Sequence, residues 1–238
     1  MKSNLLKLSI FIFSLLFAQS SFAQWGTKGN GNVTKSDRKV SGIKYVSIED
    51  GVDLYLYMNG TEKLSIEADE NLHDLIKTEV EGNKLRIYLS KSVNRAKSLK
   101  VHLSVTNIKG IKASGGSDVE SKDIIKFDKL DILCSGGSDI EMEVSGNELN
   151  SKNSGGSDVD LSGKVKIFRA QASGGSDTDA TKLEAEECYV TASGGSDIDV
   201  FATGKLFVKA SGGSDVSYKG NPQPINAEMS GGSDLDHR

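Results

Sequence analysis

Proline, cysteine, histidine and large aromatics are scarce in this chain: 238 residues hold 2 Pro, 2 Cys, 3 His and 1 Trp, and Phe, Trp and Tyr together make up 6%. Two cysteines rule out a disulfide scaffold. Three histidines, at His73, His102 and His237, leave serine and aspartate without the partnered base that an activated nucleophile needs. Helical periodicity is missing too. No window carries apolar residues at i, i+3 and i+4, so crossover helices of an α/β fold are excluded. Past Phe17 no apolar run is long enough to span a membrane.

Glycine and aspartate are abundant, and they are ordered. Ser-Gly-Gly-Ser-Asp is written seven times, starting at Ser114, Ser135, Ser154, Ser173, Ser193, Ser211 and Ser230, with spacings of 21, 19, 19, 20, 18 and 19 residues. A fixed period of this length marks a structural unit stacked on copies of itself. After each motif the chain alternates apolar with acidic, as in Asp158-Val159-Asp160-Leu161, the two-residue period of a strand. A second glycine break at Gly146, Gly163, Gly204 and Gly220 predicts two strands per repeat, joined by turns. The expected fold is all-β: a parallel β-helix with about 19–20 residues per coil, each strand pairing about 4.8 Å above its counterpart.

Stacking turns each motif position into a column. Val119, Ile140, Val159, Thr178, Ile198, Val216 and Leu235 are expected to point inward. Asp118, Asp139, Asp158, Asp177, Asp197, Asp215 and Asp234 are expected to form an outer column. Glu120, Glu141, Asp160, Asp179, Asp199 and Asp236, with Ser217 in their midst, form a second. These thirteen carboxylates are the candidate binding residues. Like charges about 5 Å apart repel by on the order of 1–3 kcal/mol, depending on solvation. Two remedies are open: acceptance of hydrogen bonds from the Ser-Gly-Gly-Ser corner, or cations between the coils, for which hard oxygen ligands favour Ca²⁺. No other cofactor is expected.

In chain order, Met1–Ala23 reads as a secretory signal peptide, with Lys2 and Lys7 before an apolar run and Ser21-Phe22-Ala23 before the cut. The mature protein is expected in the periplasm, at the outer surface or secreted. Residues 24–39 are Gly, Asn and Lys rich and read as a flexible terminus or a first strand. Residues 40–238 form one domain: 40–110 as irregular coils covering one end, and 111–238 as the repeats. Only Asp69–Ile76 has room for a turn or two of helix. Cys134 and Cys188 lie three coils apart, about 14 Å, beyond the roughly 7 Å reach of a disulfide. Phe127, Phe168, Tyr189, Phe201, Phe207 and Tyr218 share no register, so no row of sugar-stacking rings is expected. From Ser114 onward 22 acidic and 12 basic residues give −10 against +6 for the remainder, which disfavours nucleic acid and anionic membranes as partners.

The repeated Ser-Gly-Gly-Ser-Asp-Val/Ile, the β-rich leader and the export signal together resemble the auto-transporter adhesin head GIN domain family, common in Bacteroidetes. The resemblance spans about Val40 to Asp236. It implies a right-handed single-stranded parallel β-helix and an adhesin-like surface role, and it supplies no catalytic residues. The sequence reading is therefore an exported, non-enzymatic module whose Ser/Asp face binds a surface glycan or protein. The alternatives are a polysaccharide-active enzyme on the same scaffold and a calcium-stabilised structural surface protein.

Overall fold

Alternation becomes architecture in the computed structural model, which describes residues 26–238; the signal peptide lies outside the described residues. Strands Ile125–Ser135, Asp139–Ser154, Asp158–Gly174, Asp177–Gly194 and Asp197–Gly212 stack in parallel, each on the next. Asp215–Lys219, Ile225–Met229 and Asp234–His237 continue the stack. The molecule is a β-solenoid of about seven turns. Among the described residues there is no α-helix, and Glu70–Leu72 makes a single 3₁₀ turn inside the stretch the sequence left for helix.

The interior follows from the register. Val119, Ile140, Val159, Thr178, Ile198 and Val216 are buried in line, and Leu235 is partly covered at the end. On the facing wall Leu130, Leu149, Phe168, Cys188 and Leu206 form a second buried column. Next to the Gly-Gly corner stands a column of small residues, Cys134, Asn153, Ala172, Ala192 and Ala210. Burying each Val, Leu or Ile stabilises by about 1.5–3 kcal/mol, so the continuous core carries the fold. Both cysteines are free and buried, and burial pushes each thiol up to about 12, as expected of inert core residues.

Two expectations need correction. The second glycine ends a strand only at Gly220, which follows Asp215–Lys219; Gly146, Gly163 and Gly204 lie inside single long strands, with the register shifting beside Gly163 and across Gly204. These glycines serve close backbone approach instead. A Cβ on Gly163 would lie 2.0 Å from the Val144 carbonyl oxygen, and the register slips next to it, between Asp160 and Ser162, which is bulge behaviour. Such slips absorb the change of spacing from 19 to 20 to 18. Second, the domain does not wait for residue 40: of the two readings of the lead, flexible terminus or first strand, the strand holds, with Val33–Arg38 pairing antiparallel with Lys63–Asp69.

The N-terminal region is threaded out of order. Tyr45–Glu49 and Asp53–Tyr57 form a coil lying between strands 84–104 on one side and 110–121 on the other. From that coil the chain runs out to the end of the stack, where Lys63–Asp69 pairs antiparallel with Leu99–Ser104, and Ile76–Glu81 with Lys84–Leu89. It then returns to begin the repeats. The buried Asp69 fastens this cap: its carboxylate accepts backbone N–H groups of Gly31, Lys97 (2.7 Å) and Ser98 (3.1 Å).

Candidate functional site: the acidic ladder

The first glycine of every Ser-Gly-Gly-Ser corner takes positive φ, and in the first three corners the second does too, a conformation glycine adopts without cost. Gly136 and Gly137 both sit at φ +70°, and Gly155 and Gly156 at +73° and +70°. The second serine then turns inward. Ser117, Ser138, Ser157, Ser176, Ser196 and Ser214 are fully buried, and their hydroxyls serve the corner backbone. Ser157 Oγ accepts from Gly137 N (3.2 Å) and Ser138 N (3.4 Å) and donates to Ser154 O (3.0 Å). Ser117 Oγ accepts from Gly51 N and Val52 N.

With the serine inside, alternation points the next residue out. Asp139, Asp158, Asp177, Asp197, Asp215 and Asp234 pair in unbroken register, all exposed. Asp118 heads them and accepts the Asp139 N–H at 3.3 Å. Glu120, Glu141, Asp160, Asp179, Asp199, Ser217 and Asp236 pair as the second column. All thirteen predicted carboxylates therefore share one side of the solenoid. Within the repeats, Asp118 is the one first-column carboxylate that takes an N–H from the next coil; elsewhere the corner donors go to serine or, as with Gly195 N to Gly174 O and Gly213 N to Gly194 O, to glycine carbonyls of the neighbouring coil. Among the described residues no three His, Cys, Asp or Glu side chains converge as a metal-ligand group.

Burial, and after it the like-charged neighbours, shift individual groups. Burial and then the neighbouring Asp179, Glu141 and Asp158 push the Asp160 carboxyl up. Burial and Asp139 raise Asp118. At Asp179 burial acts in the same sense, but the Thr181 side-chain and backbone donors outweigh it and leave the group lowered. Cations flank the second column: Lys122 bonds Glu120, Lys182 lies beside Asp160 and Asp179, and Arg238 Nη1 donates to Asp199 at 2.8 Å. A groove of about 400 Å³, lined by Glu141, Glu143, Asp160, Asp179, Ser162 and Lys182, runs between these side chains.

Three features of the site were not read from the sequence. Glu49-Asp50-Gly51-Val52-Asp53 is an eighth corner: Glu49 pairs with Ser114 and Leu54 with Val119, and Asp50 and Gly51 have φ +66° and +77°. Asp50-Gly51 was the available signal. The ladder thus extends to Asp53, raised by burial and by Asp118, and ends in a change of chemistry where Lys100 faces Asp53 and His102 faces Tyr55. The His102 ring stacks on Tyr55 at 5.2 Å, and burial lowers its pKa. Finally, Tyr189 and Phe207 do share a register, contrary to expectation, and stack at 5.0 Å with the Arg169 guanidinium 4.1 Å from the Tyr189 centroid. Stacked along the axis, these rings face one another, so they brace the wall.

Fold and face together define a class: a repeat scaffold that holds equivalent side chains in outward columns. The chain belongs to the family described as "Putative auto-transporter adhesin, head GIN domain", whose model matches residues 44–222. No curated protein matches it. Among solved structures it is similar to a putative adhesin from Bacteroides fragilis NCTC 9343, with 24% identity, TM-score 0.85, and coverage of 90% of this chain and 100% of that one. It is also similar to a putative lipid binding protein from Parabacteroides distasonis ATCC 8503, with 20% identity, TM-score 0.73, and coverage of 89% and 99%. A putative adhesin from Parabacteroides merdae ATCC 43184 matches at 16% identity and TM-score 0.69, over 90% and 99%. At these identities the likeness is one of fold.

Proposed function

We propose that this protein is an exported, non-enzymatic adhesion module whose acidic ladder engages a partner through many weak, equivalent contacts. The observation that carries this reading is the unbroken register of two outward columns rich in carboxylates, of which the first, from Asp139 to Asp234, takes no corner N–H and is left free for a partner. Equivalent sites spaced by one coil gain from multivalency, since each contact after the first is intramolecular. Its partner is a cationic protein surface or a glycan rather than nucleic acid, because a dense column of one sign repels phosphate. Export rests on the Met1–Ala23 signal; among the described residues no helix is long and apolar enough to cross a membrane.

The test is binding to bacterial and host cell surfaces by wild type and by Asp158→Asn/Asp177→Asn, each with Ca²⁺ and with chelator. The double variant is expected to bind at least about threefold more weakly while unfolding at an unchanged or higher temperature. Equal binding by both proteins would remove the ladder from the interface. A chelator-induced fall in the melting temperature would instead assign the columns to cations.

A further inference from the structure

A second surface lies on the strand run that precedes each corner, where a half-open groove of about 460 Å³ crosses the N-terminal coils. Its volume falls within the range of small-ligand sites. The floor exists because Gly110 has no side chain: a Cβ there would sit 2.7 Å from Tyr45 Cδ1, so the Tyr45 ring leans across it. Tyr45 (36% exposed) and Leu133 (43%) are two of the five large apolar side chains left exposed among the described residues, and both line this groove.

The rim is polar and balanced. Lys84, Arg86 and Lys112 supply donors; Glu79, Glu81 and Asp131 supply acceptors. Three of the six are fixed in place: Arg86 makes a two-point bond to Glu49 (3.1 and 2.8 Å), Glu79 accepts the Tyr88 hydroxyl at 2.6 Å, and Asp131 accepts the Asn150 amide N–H at 2.7 Å. Fixing rim groups beforehand reduces the ordering cost of binding. Equal numbers of donors and acceptors around an apolar platform suit a ligand whose polar groups both donate and accept, which is the property of hydroxyls. An acidic amphiphile would meet three carboxylates, and a bare acyl chain would leave the rim charges unanswered at the cost of their desolvation.

We infer that this groove binds a neutral pyranose oligosaccharide, the C–H face of one sugar lying on Tyr45 and Leu133 and its hydroxyls reaching the rim. The inference goes beyond the ladder and does not use it. It is tested by adding purified protein to immobilised neutral oligosaccharides of gluco, galacto and manno configuration, with acidic oligosaccharides and anionic phospholipid vesicles alongside. At least one neutral oligosaccharide should be retained. Tyr45→Ala should weaken retention by about tenfold or more without moving the melting transition by more than a few degrees, and Tyr45→Phe should stay within about twofold. Asp158→Asn/Asp177→Asn should leave retention unchanged, so a failed ladder and a failed groove give different results. Three results overturn the inference: no neutral oligosaccharide retained, retention indifferent to Tyr45→Ala, or Tyr45-dependent binding of vesicles alone. Should Tyr45→Ala fail to fold, Leu133→Ser takes its place with the same expected loss.

Discussion

The repeats and the N-terminal region build the same coil by different chemistry. In the repeats one pentapeptide serves every corner: its first glycine takes positive φ, joined by the second in the first three corners, its second serine turns inward, and an aspartate is delivered to the surface. The coil of Tyr45–Tyr57 reaches the same backbone with Asp50-Gly51-Val52, and there Asp50, the one non-glycine with positive φ among the described residues, offsets its strain by accepting Leu89 N at 3.1 Å. Corner geometry is therefore a property of the stack, and the repeated pentapeptide is one way to meet it. What the repeats add is identity of outward side chains from coil to coil. What the N-terminal region adds is closure, through antiparallel strands and the carboxylate of Asp69.

The comparison can be broken most sharply at glycine. Gly163→Ala forces a Cβ to 2.0 Å from Val144 O at φ +112°, combining backbone strain with overpacking, and should cost on the order of 3–5 kcal/mol in urea unfolding. Gly60→Ala, in a cap turn at φ +82° with open space around it, should cost about 1 kcal/mol. Equal losses would mean that close stacking of coils is not the constraint.

The cap has its own weak point, and it answers to pH with the opposite sign. Asp69→Asn loses the charge that receives three backbone N–H groups and should cost about 2–3 kcal/mol. Burial works against the Asp69 anion, but the donors of Ser98, Gly31 and Lys97 prevail and lower its pKa. Its stabilisation is thus present above the ordinary Asp value of about 3.9 and lost as pH falls through the folded value. Asp53, Asp118 and Asp160 are raised, so the contribution of their protonated forms is present at low pH and lost as pH rises through their folded values. Segment-resolved hydrogen exchange, corrected for the intrinsic rate, should show the coils of Asp53, Asp118 and Asp160 gaining protection as pH falls from neutrality toward the ordinary Asp value of about 3.9. The cap should hold over that interval and open at lower pH. This is the smaller effect, since the ladder carboxylates are largely solvated.

The repeated motif made the solenoid and its acidic columns legible in the sequence, because identical residues at a fixed period must stack in register. The inward serine was not legible: with Ser-Gly-Gly-Ser-Asp alone, either serine or aspartate could have closed the corner, and only burial distinguishes them. Out-of-order threading of Tyr45–Tyr57 was hidden because alternation defines a strand without naming its partner. The Tyr189–Phe207 stack was missed because spacings of 18 to 21 obscure which residues align once bulges shift the register. The Tyr45 groove depends on Gly110, which lacks a side chain beneath a ring far away in the chain but on the neighbouring strand.

The central claim is that serine closes the corner and leaves the aspartates free, and urea unfolding of two double variants side by side tests it most directly. Ser157→Ala/Ser176→Ala strips hydroxyls from the corner, orphans the Gly137 and Ser138 N–H groups, and should lose about 2–5 kcal/mol. Asp158→Asn/Asp177→Asn should lose nothing or gain up to about 1 kcal/mol from relieved repulsion. The account is contradicted if the aspartate pair is the one that unfolds the protein while the serine pair is tolerated.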